Sequence, residues 1–271
     1  MHTFTVEEPD VTSAWIAACR ALDRKDNTAR TGYHTVVRIG DATADDRRFR
    51  GDLDLVRLSK GLHSTETVAS TIFPAALADR CASHTELVTR YRKLYETIRR
   101  YPGNNRGTYF GRLIGYPAAD GGRIDQIGKV IDRLTRQSSA TGAMTAAYEI
   151  DVAHPDDADQ GPGDAVATAD ALVHSAERDN SLRGFPCLSH CSFQLDRDGV
   201  LHCAALYRSH FMFERAYGNY LGLGRLTRYV AQRAGLRLGT LTVMAGYAQL
   251  DGPVTRIRPL LMGAQSLIPA A

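Results

Sequence analysis

The sequence predicts an α+β protein, and three observations carry that prediction. Four segments repeat apolar residues with a helical period, three alternate as strands do, and the two kinds interleave without a clean strand–helix–strand rhythm. The hydrophobic share of 44% against 23% charged residues fits a globular chain, and 271 residues suffice for a core of ordinary size.

The first helix is expected over VTSAWIAACRALDR, where Val11, Trp15, Ala18 and Leu22 fall on one face. The second is expected over HTELVTRYRKLYETIRRY. There Leu87, Val88, Tyr91, Leu94, Tyr95 and Ile98 form a stripe, Arg and Lys lie opposite, and Pro102 and Gly103 end it. IDQIGKVIDRLTRQ repeats Ile124, Ile127, Val130, Ile131 and Leu134 and predicts the third. The segment AMTAAYEI reads as a strand. CSFQLDRDGVLHCAALYR alternates on both sides of a turn at Asp198 and Gly199, which predicts a hairpin. NYLGLGRLTRYVAQRAG gives the fourth helix, with Leu226, Tyr229 and Val230 inward and Gly235 as its C-terminal stop. GTLTVMAGYAQL, after Gly239, is the last strand.

Residues 151–180 are acidic, small and rich in Pro, Gly and Asp. They predict a mobile surface insertion within one domain spanning 1–271, with a short helix over VATADALVHSAE. No internal repeat is present.

Charge and cysteine usage narrow the function. A net charge of +3, from 33 basic and 30 acidic residues, is too weak a bias for a nucleic-acid partner but suits a small anion held by a few arginines. No apolar run of membrane-spanning length occurs, and the N-terminus MHTFTVEEPD carries acids where a secretory leader carries a basic, then apolar, stretch. Five cysteines at irregular spacing do not form a disulfide framework, so the expectation is a reduced, cytoplasmic protein.

Chemistry concentrates in FPCLSHC. A zinc site built from Cys187, His190, Cys191 and Cys203 has the wrong spacing, and along a strand His190 faces away from the cysteines, so no metal is expected. Cys191 and Cys203 sit in alternating strands and read as buried apolar filler. Cys187 follows a proline at a strand entrance, where a side chain is presented rather than packed. A nucleophile also needs a cation to lower its thiol pKa, and Arg208 at the far end of the hairpin could supply one. On spacing alone, nucleophile and filler remain open for Cys187. NYLGLGRL has part of a phosphate-loop pattern but continues a helix, and the basic run Arg90, Arg92, Lys93, Arg99, Arg100 reads as a solvated face.

Taken as one string, residues 184–252 resemble the thymidylate synthase and pyrimidine hydroxymethylase family. A Pro-Cys stands at a strand entrance and the hairpin ends in LYRS. An Asn follows that Arg by eleven residues, then come a long helix and a Gly-led strand. Upstream, YFGRL is similar to the family's Tyr-Gly segment, GRIDQIGKVIDRL to its helix, and ARTGY to its phosphate-binding Arg-Thr-Gly. The resemblance extends over residues 105–150 and, loosely, 1–75.

The resemblance implies a thymidylate synthase-like fold, a mixed sheet flanked by helices, that forms a homodimer through sheet faces. It implies that Cys187 adds to C6 of a pyrimidine nucleotide or nucleoside-like ring, which makes C5 nucleophilic toward a one-carbon unit from 5,10-methylenetetrahydrofolate. Arg208 would lower the thiol pKa and contact the substrate anion together with Ser209. Asn219 would read the pyrimidine edge, Arg30 would bind phosphate, and Gln249 and Asp251 fall where the family binds the sugar hydroxyl.

The departures cluster around ligands. The family's cross-dimer arginine pair falls on Thr141 and Gly142, which cannot replace two guanidinium forks. The acid that orients the folate ring falls on Phe211, the residue after the nucleophile is Leu188 rather than His, and the proton-managing Glu falls on Ser70, a turn from Glu66. A kept nucleophile with rewritten ligand shells fits a specialised pyrimidine-modifying transferase, such as those of nucleoside-antibiotic pathways, with hydroxymethylation favoured over methylation. The same chemistry on a non-phosphorylated or non-nucleotide ring, and a catalytically silent relative acting by binding alone, stay open.

Overall fold

The computed structural model describes residues 2–101, 104, 107–118, 121–138, 168–172 and 186–263. Its elements are, in order, β1 (Thr5–Asp10), α1 (Val11–Leu22), β2 (Thr31–Asp41), α2 (Arg47–Leu58), α3 (Thr65–Ile72), α4 (Ala75–Ala78), α5 (His84–Arg99), α6 (Tyr109–Leu113), β3 (Tyr116–Pro117), β4 (Arg123–Ile124), α7 (Gln126–Ser138), β5 (Thr168–Leu172), β6 (Leu188–Leu195), β7 (Val200–Phe211), α8 (Tyr217–Ala234), β8 (Arg237–Gln249) and α9 (Val254–Leu261). A single π-helical turn, Met212–Ala216, joins β7 to α8. The protein is therefore mixed α and β. Among the described residues no helix is long and apolar enough to cross a membrane.

The chain divides into two compact units. The first comprises Met1–Ile72, Ala204–Arg225 and Thr240–Ala271, and the second Phe73–Cys203 and Leu226–Gly239. Strands β7 and β8 and helix α8 contribute residues to both.

In the first unit the strand order is β1-β2-β8-β7. β1 lies parallel to β2 and is joined to it through α1, while β2 and β8 are antiparallel, with Thr31 opposite Gln249. β7 and β8 also run in the same direction. The Gly239 position abuts the Leu201 carbonyl and Gly246 the Arg208 carbonyl, at one constant offset. The missing strand–helix–strand rhythm is thus a correction: β1-α1-β2 is such a unit, hidden because TVEEPD carries three acids and no apolar alternation.

Local chemistry explains the helix starts. The Asp10 side chain accepts from Ser13 N at 2.9 Å and begins α1, whose Val11, Trp15, Ala18 and Leu22 are all buried as the period predicts. Trp15 Nε1 donates to Met212 O at 2.7 Å, which ties α1 to the π-turn. Helix α8 presents Gly218, Gly222 and Gly224 to the backbone of α3 and of Ala42. A Cβ at Gly224 would overlap the Ala42 carbonyl, so a close approach requires the small residue there.

A kink crosses three neighbouring strands of this unit. Burial alternates through Thr35, Val37 and Ile39 in β2, then changes phase to reach Gly32. It changes phase between Tyr207 and His210 in β7, and between Ala245 and Ala248 in β8. Gly246 abuts the Arg208 carbonyl, and His34, in β2, has φ of 49°, a left-handed conformation costly for a residue with a Cβ.

In the second unit the strand order is β7-β6-β5. The predicted hairpin is present, but its turn is built on Asp196. The Asp196 carboxylate accepts from Asp198 N and Val200 N at 2.9 and 2.8 Å, and Gly199 sits at φ 74°. Helix α5 begins at a reciprocal cap. Ser83 Oγ accepts from Glu86 N and Glu86 accepts from Ala82 N. Its buried face ends early, since Leu87, Val88 and Tyr91 are buried whereas Leu94 is 48% exposed, a correction to the expected stripe. Ile124 is buried but belongs to β4, ahead of α7. The end of α8 matches its prediction. Leu236 N bonds to Ala231 O and Gly235 N to Gln232 O, with Gly235 at φ 71°.

The helix expected over VATADALVHSAE is corrected at Thr168–Leu172, which form β5 and pair antiparallel with β6, Ala171 opposite Cys191. Tertiary pairing overrides the helical preference of an alanine-rich run. The remainder of 151–180, the strand expected over AMTAAYEI, and Thr141 and Gly142 lie outside the described residues.

Candidate active site

Seven of the residues singled out in the sequence lie in the first unit, at or near the end of its strands beyond the kink. Arg30 precedes β2, and its carbonyl accepts from Leu250 N at 3.0 Å, so the start of β2 and the end of β8 are stitched together. Arg30 takes a left-handed backbone, φ 52°, and its Nε lies 3.2 Å from Asp23 Oδ1. Asp23 also receives two hydrogen bonds from Arg258, at 2.7 and 3.0 Å. The Arg258 hydrogen bonds foremost, with Arg30 adding to them, hold the Asp23 carboxyl below the usual carboxylate range.

Arg208 and Ser209 are half-buried where β7 changes phase, and Phe211 ends the strand with φ −83° and ψ 115° as the chain enters the π-turn. Asp251 organises that turn. Its two carboxylate oxygens accept from Phe213 N at 2.8 Å and Glu214 N at 3.1 Å, while burial pushes its pKa up. Arg57 grips the same turn from its carbonyl side, donating to Phe213 O, to Glu214 O at 3.0 Å and to His63 O at 2.8 Å. Backbone donors and acceptors of this irregular segment are therefore both satisfied by buried or half-buried charged side chains. Gln249 accepts from the Tyr247 hydroxyl at 3.2 Å.

Asn219, in the first turn of α8, is 4% exposed, and its Nδ2 lies 3.1 Å from His210 Nε2. His210 stacks on Tyr207 with ring centroids 4.3 Å apart and planes at 16°, and meets Tyr220 edge-on at 5.5 Å. Glu66, one turn from Ser70 in α3, is bound by Arg225 through two contacts of 2.6 and 2.7 Å, which keep its pKa low.

Cys187 belongs to the second unit. It is half-buried immediately before β6, whereas Leu188 is fully buried. The Leu188 amide donates to the Tyr109 hydroxyl at 3.4 Å. Tyr109 opens α6, where Thr108 caps Gly111 N and bonds to the Tyr91 hydroxyl at 2.6 Å, and Phe110 packs on Tyr91 and Phe73. A phenol is thereby fixed beside the cysteine's neighbouring amide. Cys191 and Cys203 are buried, at 0% and 2% exposure, as the filler reading expects. The described residues contain no group of three or more His, Cys, Asp or Glu able to hold a metal ion.

Sequence reading missed His210, Arg57 and Asp23 in the first unit and Tyr109 in the second. YFGRL carried a signal for Tyr109. Arg57 and Asp23 act through contacts across 156 and 235 residues, and His210 meets Asn219 only because the π-turn between them folds the chain back, none of which a local period encodes.

No family model matches the chain. It is 30% identical over 146 residues to a protein of Methanococcoides burtonii named "Putative thymidylate synthase", covering 53% of this chain and 54% of that one. Proteins of the same name from Methanopyrus kandleri and Methanosarcina barkeri are each 28% identical, over 127 residues (47% and 48% covered) and 125 residues (46% and 45%). The chain spans about half the length of the curated relatives it matches. With the mixed sheet and its flanking helices, this makes the protein a distant, thymidylate synthase-like relative of these archaeal proteins.

Proposed function

We propose that the protein transfers a one-carbon unit to C5 of a pyrimidine nucleotide, with Cys187 as nucleophile. The observation that supports this most is that two guanidinium groups, a hydroxyl and an amide, those of Arg30, Arg208, Ser209 and Asn219, lie toward one end of the first unit. Unactivated pyrimidine C5 is a poor nucleophile. Addition of the Cys187 sulfur to C6 makes C5 electron-rich, C5 bonds the one-carbon unit and gives up its own hydrogen as a proton, and later loss of the same sulfur restores the ring. Arg208 favours the thiolate and meets the substrate anion, Asn219 holds the ring edge, and the half-buried Tyr109 hydroxyl is the proton-handling group beside the nucleophile's strand.

A methylenetetrahydrofolate-type donor, when bound, supplies an electrophilic methylene. The half-buried Phe211 offers such a pterin a face to stack on but no acceptor to orient it. Poor orientation weakens hydride delivery more than attack by water, so hydroxymethylation is the favoured outcome. The cellular setting we propose is the cytoplasm, in specialised nucleoside metabolism.

Incubation with CMP, UMP, dCMP and dUMP plus methylenetetrahydrofolate, following tritium release from C5, tests the reading. Release from one of them, reduced at least about a thousandfold in Cys187→Ala, is expected. No release from any defeats the nucleotide version.

A second reading has a specific support. Arg30 is already paired with Asp23, so the acceptor could be a ring without phosphate. A 5′-phosphate found on Arg30 and Arg208 in a ligand complex rules it out. A homodimer through sheet faces is supported by Tyr33, Leu206 and Met244, which stand 42%, 44% and 45% exposed on the strands of the first unit. Met244→Glu should convert the dimer to monomer in light scattering, and a wild-type monomer removes the dimer from the proposal.

A further inference from the structure

We propose that His210 is a positioning residue that locks the amide of Asn219 in one orientation and thereby sets which pyrimidine ring the protein accepts. This rests on the reading that Asn219 faces a pyrimidine edge.

A primary amide offers an acceptor and a donor side by side, and a half-turn about its last torsion exchanges them. The uracil edge presents an N–H next to a carbonyl oxygen, and the cytosine edge presents a bare ring nitrogen next to an amino group. An amide free to turn reads both rings. An amide held in one orientation reads one and leaves the other with a donor facing a donor and an acceptor facing an acceptor.

The structure supplies a holder. His210 Nε2 lies 3.1 Å from Asn219 Nδ2, so the imidazole nitrogen accepts one amide hydrogen and the ring proton sits on Nδ1. One Nδ2 hydrogen and Oδ1 of Asn219 remain for a ligand, in fixed order. The imidazole cannot turn away easily, because it is 2% exposed, stacked on Tyr207 at 4.3 Å and met edge-on by Tyr220. Nor does it take a second proton at neutral pH, since burial pushes its pKa down to about 3. A neutral imidazole has one N–H, so its tautomer and the amide orientation are a single choice.

The test uses the full-length protein with UMP and CMP, and with uridine and cytidine in case the phosphate is not needed, measuring affinity by calorimetry. Wild type should prefer one ring by about a hundredfold. His210→Phe keeps an aromatic ring on Tyr207 but removes the acceptor, and should shrink that preference to about fivefold or less. His210→Gln restores an acceptor and should recover most of it. Nitrogen-15 spectra of the ligand-free wild type at pH 7 should show a neutral His210 protonated on Nδ1. A preference unchanged in His210→Phe, or equally lost in His210→Gln, overturns the proposal. So does a His210 that is doubly protonated or protonated on Nε2, whatever binds. Wild-type protein that binds no pyrimidine defeats the functional reading itself, a result separable from the spectroscopic one.

Discussion

His84 and His210 both hydrogen-bond through Nε2, one in each compact unit, but they face different chemistry. His84 stands at the start of α5, with a side chain 15% exposed. Its Nε2 donates to Asp125 at 2.8 Å, and its Nδ1 lies 3.2 Å from the Tyr229 hydroxyl. Asp125 in turn accepts from Gly128 N at 3.0 Å, so three helices, α5, α7 and α8, meet in one polar chain. Among the described residues His210 meets no charged group, only an amide and two aromatic rings. The first histidine is a link between elements, and the second a fixed neutral acceptor. What a histidine faces, not its type, decides which it becomes.

The largest effect that sharpens this contrast is on acid stability. The folded pKa of His210 is depressed from 6.5 to about 3, so unfolded chains take up a proton that folded ones refuse. Its contribution is complete above pH 6.5 and declines as pH falls toward 3, by about 2 kcal/mol at pH 5. Urea unfolding at pH 7, 6 and 5 should show His210→Phe lacking that part of the wild-type decline. Parallel declines break the comparison. Asp125→Ala comes next, removing both the cap of α7 and the acceptor for His84. It should cost about 2 kcal/mol, with Asp125→Asn near half of that, read from urea midpoints.

The smallest effects are a matched pair of opposite sign. Tyr229→Phe removes the hydroxyl beside His84 and should destabilise by about 1 kcal/mol. Tyr220→Phe removes a buried hydroxyl without a hydrogen-bond partner among the described residues, and should be neutral or stabilise by up to about 1 kcal/mol. Loss of stability in both would show that the environment of Tyr220 has been misread.

The parts of the fold legible in the sequence were those with local causes. α1, the first half of α5 and the close of α8 at Gly235 follow from apolar spacing and end signals within one segment. α2 was not legible. RRFRGDLDLVRL buries only Asp52, Leu53, Val56 and Arg57, two of them charged, so its apolar stripe is too thin to register. β2 escaped because the change of phase at Tyr33 and His34 breaks its alternation, and β5 because five residues with two alanines become a strand only by pairing with β6. Motif order singled out Arg30, Arg208, Asn219 and Gln249 in the first unit, and Cys187 in the second. No motif pointed to their partners, although these are near in sequence. Asp23 stands seven residues before Arg30, His210 nine before Asn219 and Tyr247 two before Gln249, and only the fold turns the side chains toward each other.

The kink shared by β2, β7 and β8 divides two kinds of evolutionary freedom. Residues before it follow a strict inside–outside code, and a change there disturbs packing on a whole layer. Beyond it that code is reset, so Ser209, Phe211, Gln249 and their neighbours can be exchanged with little repacking of the strands that support them. A scaffold divided in this way lets the side chains at that strand end vary while the architecture stays put.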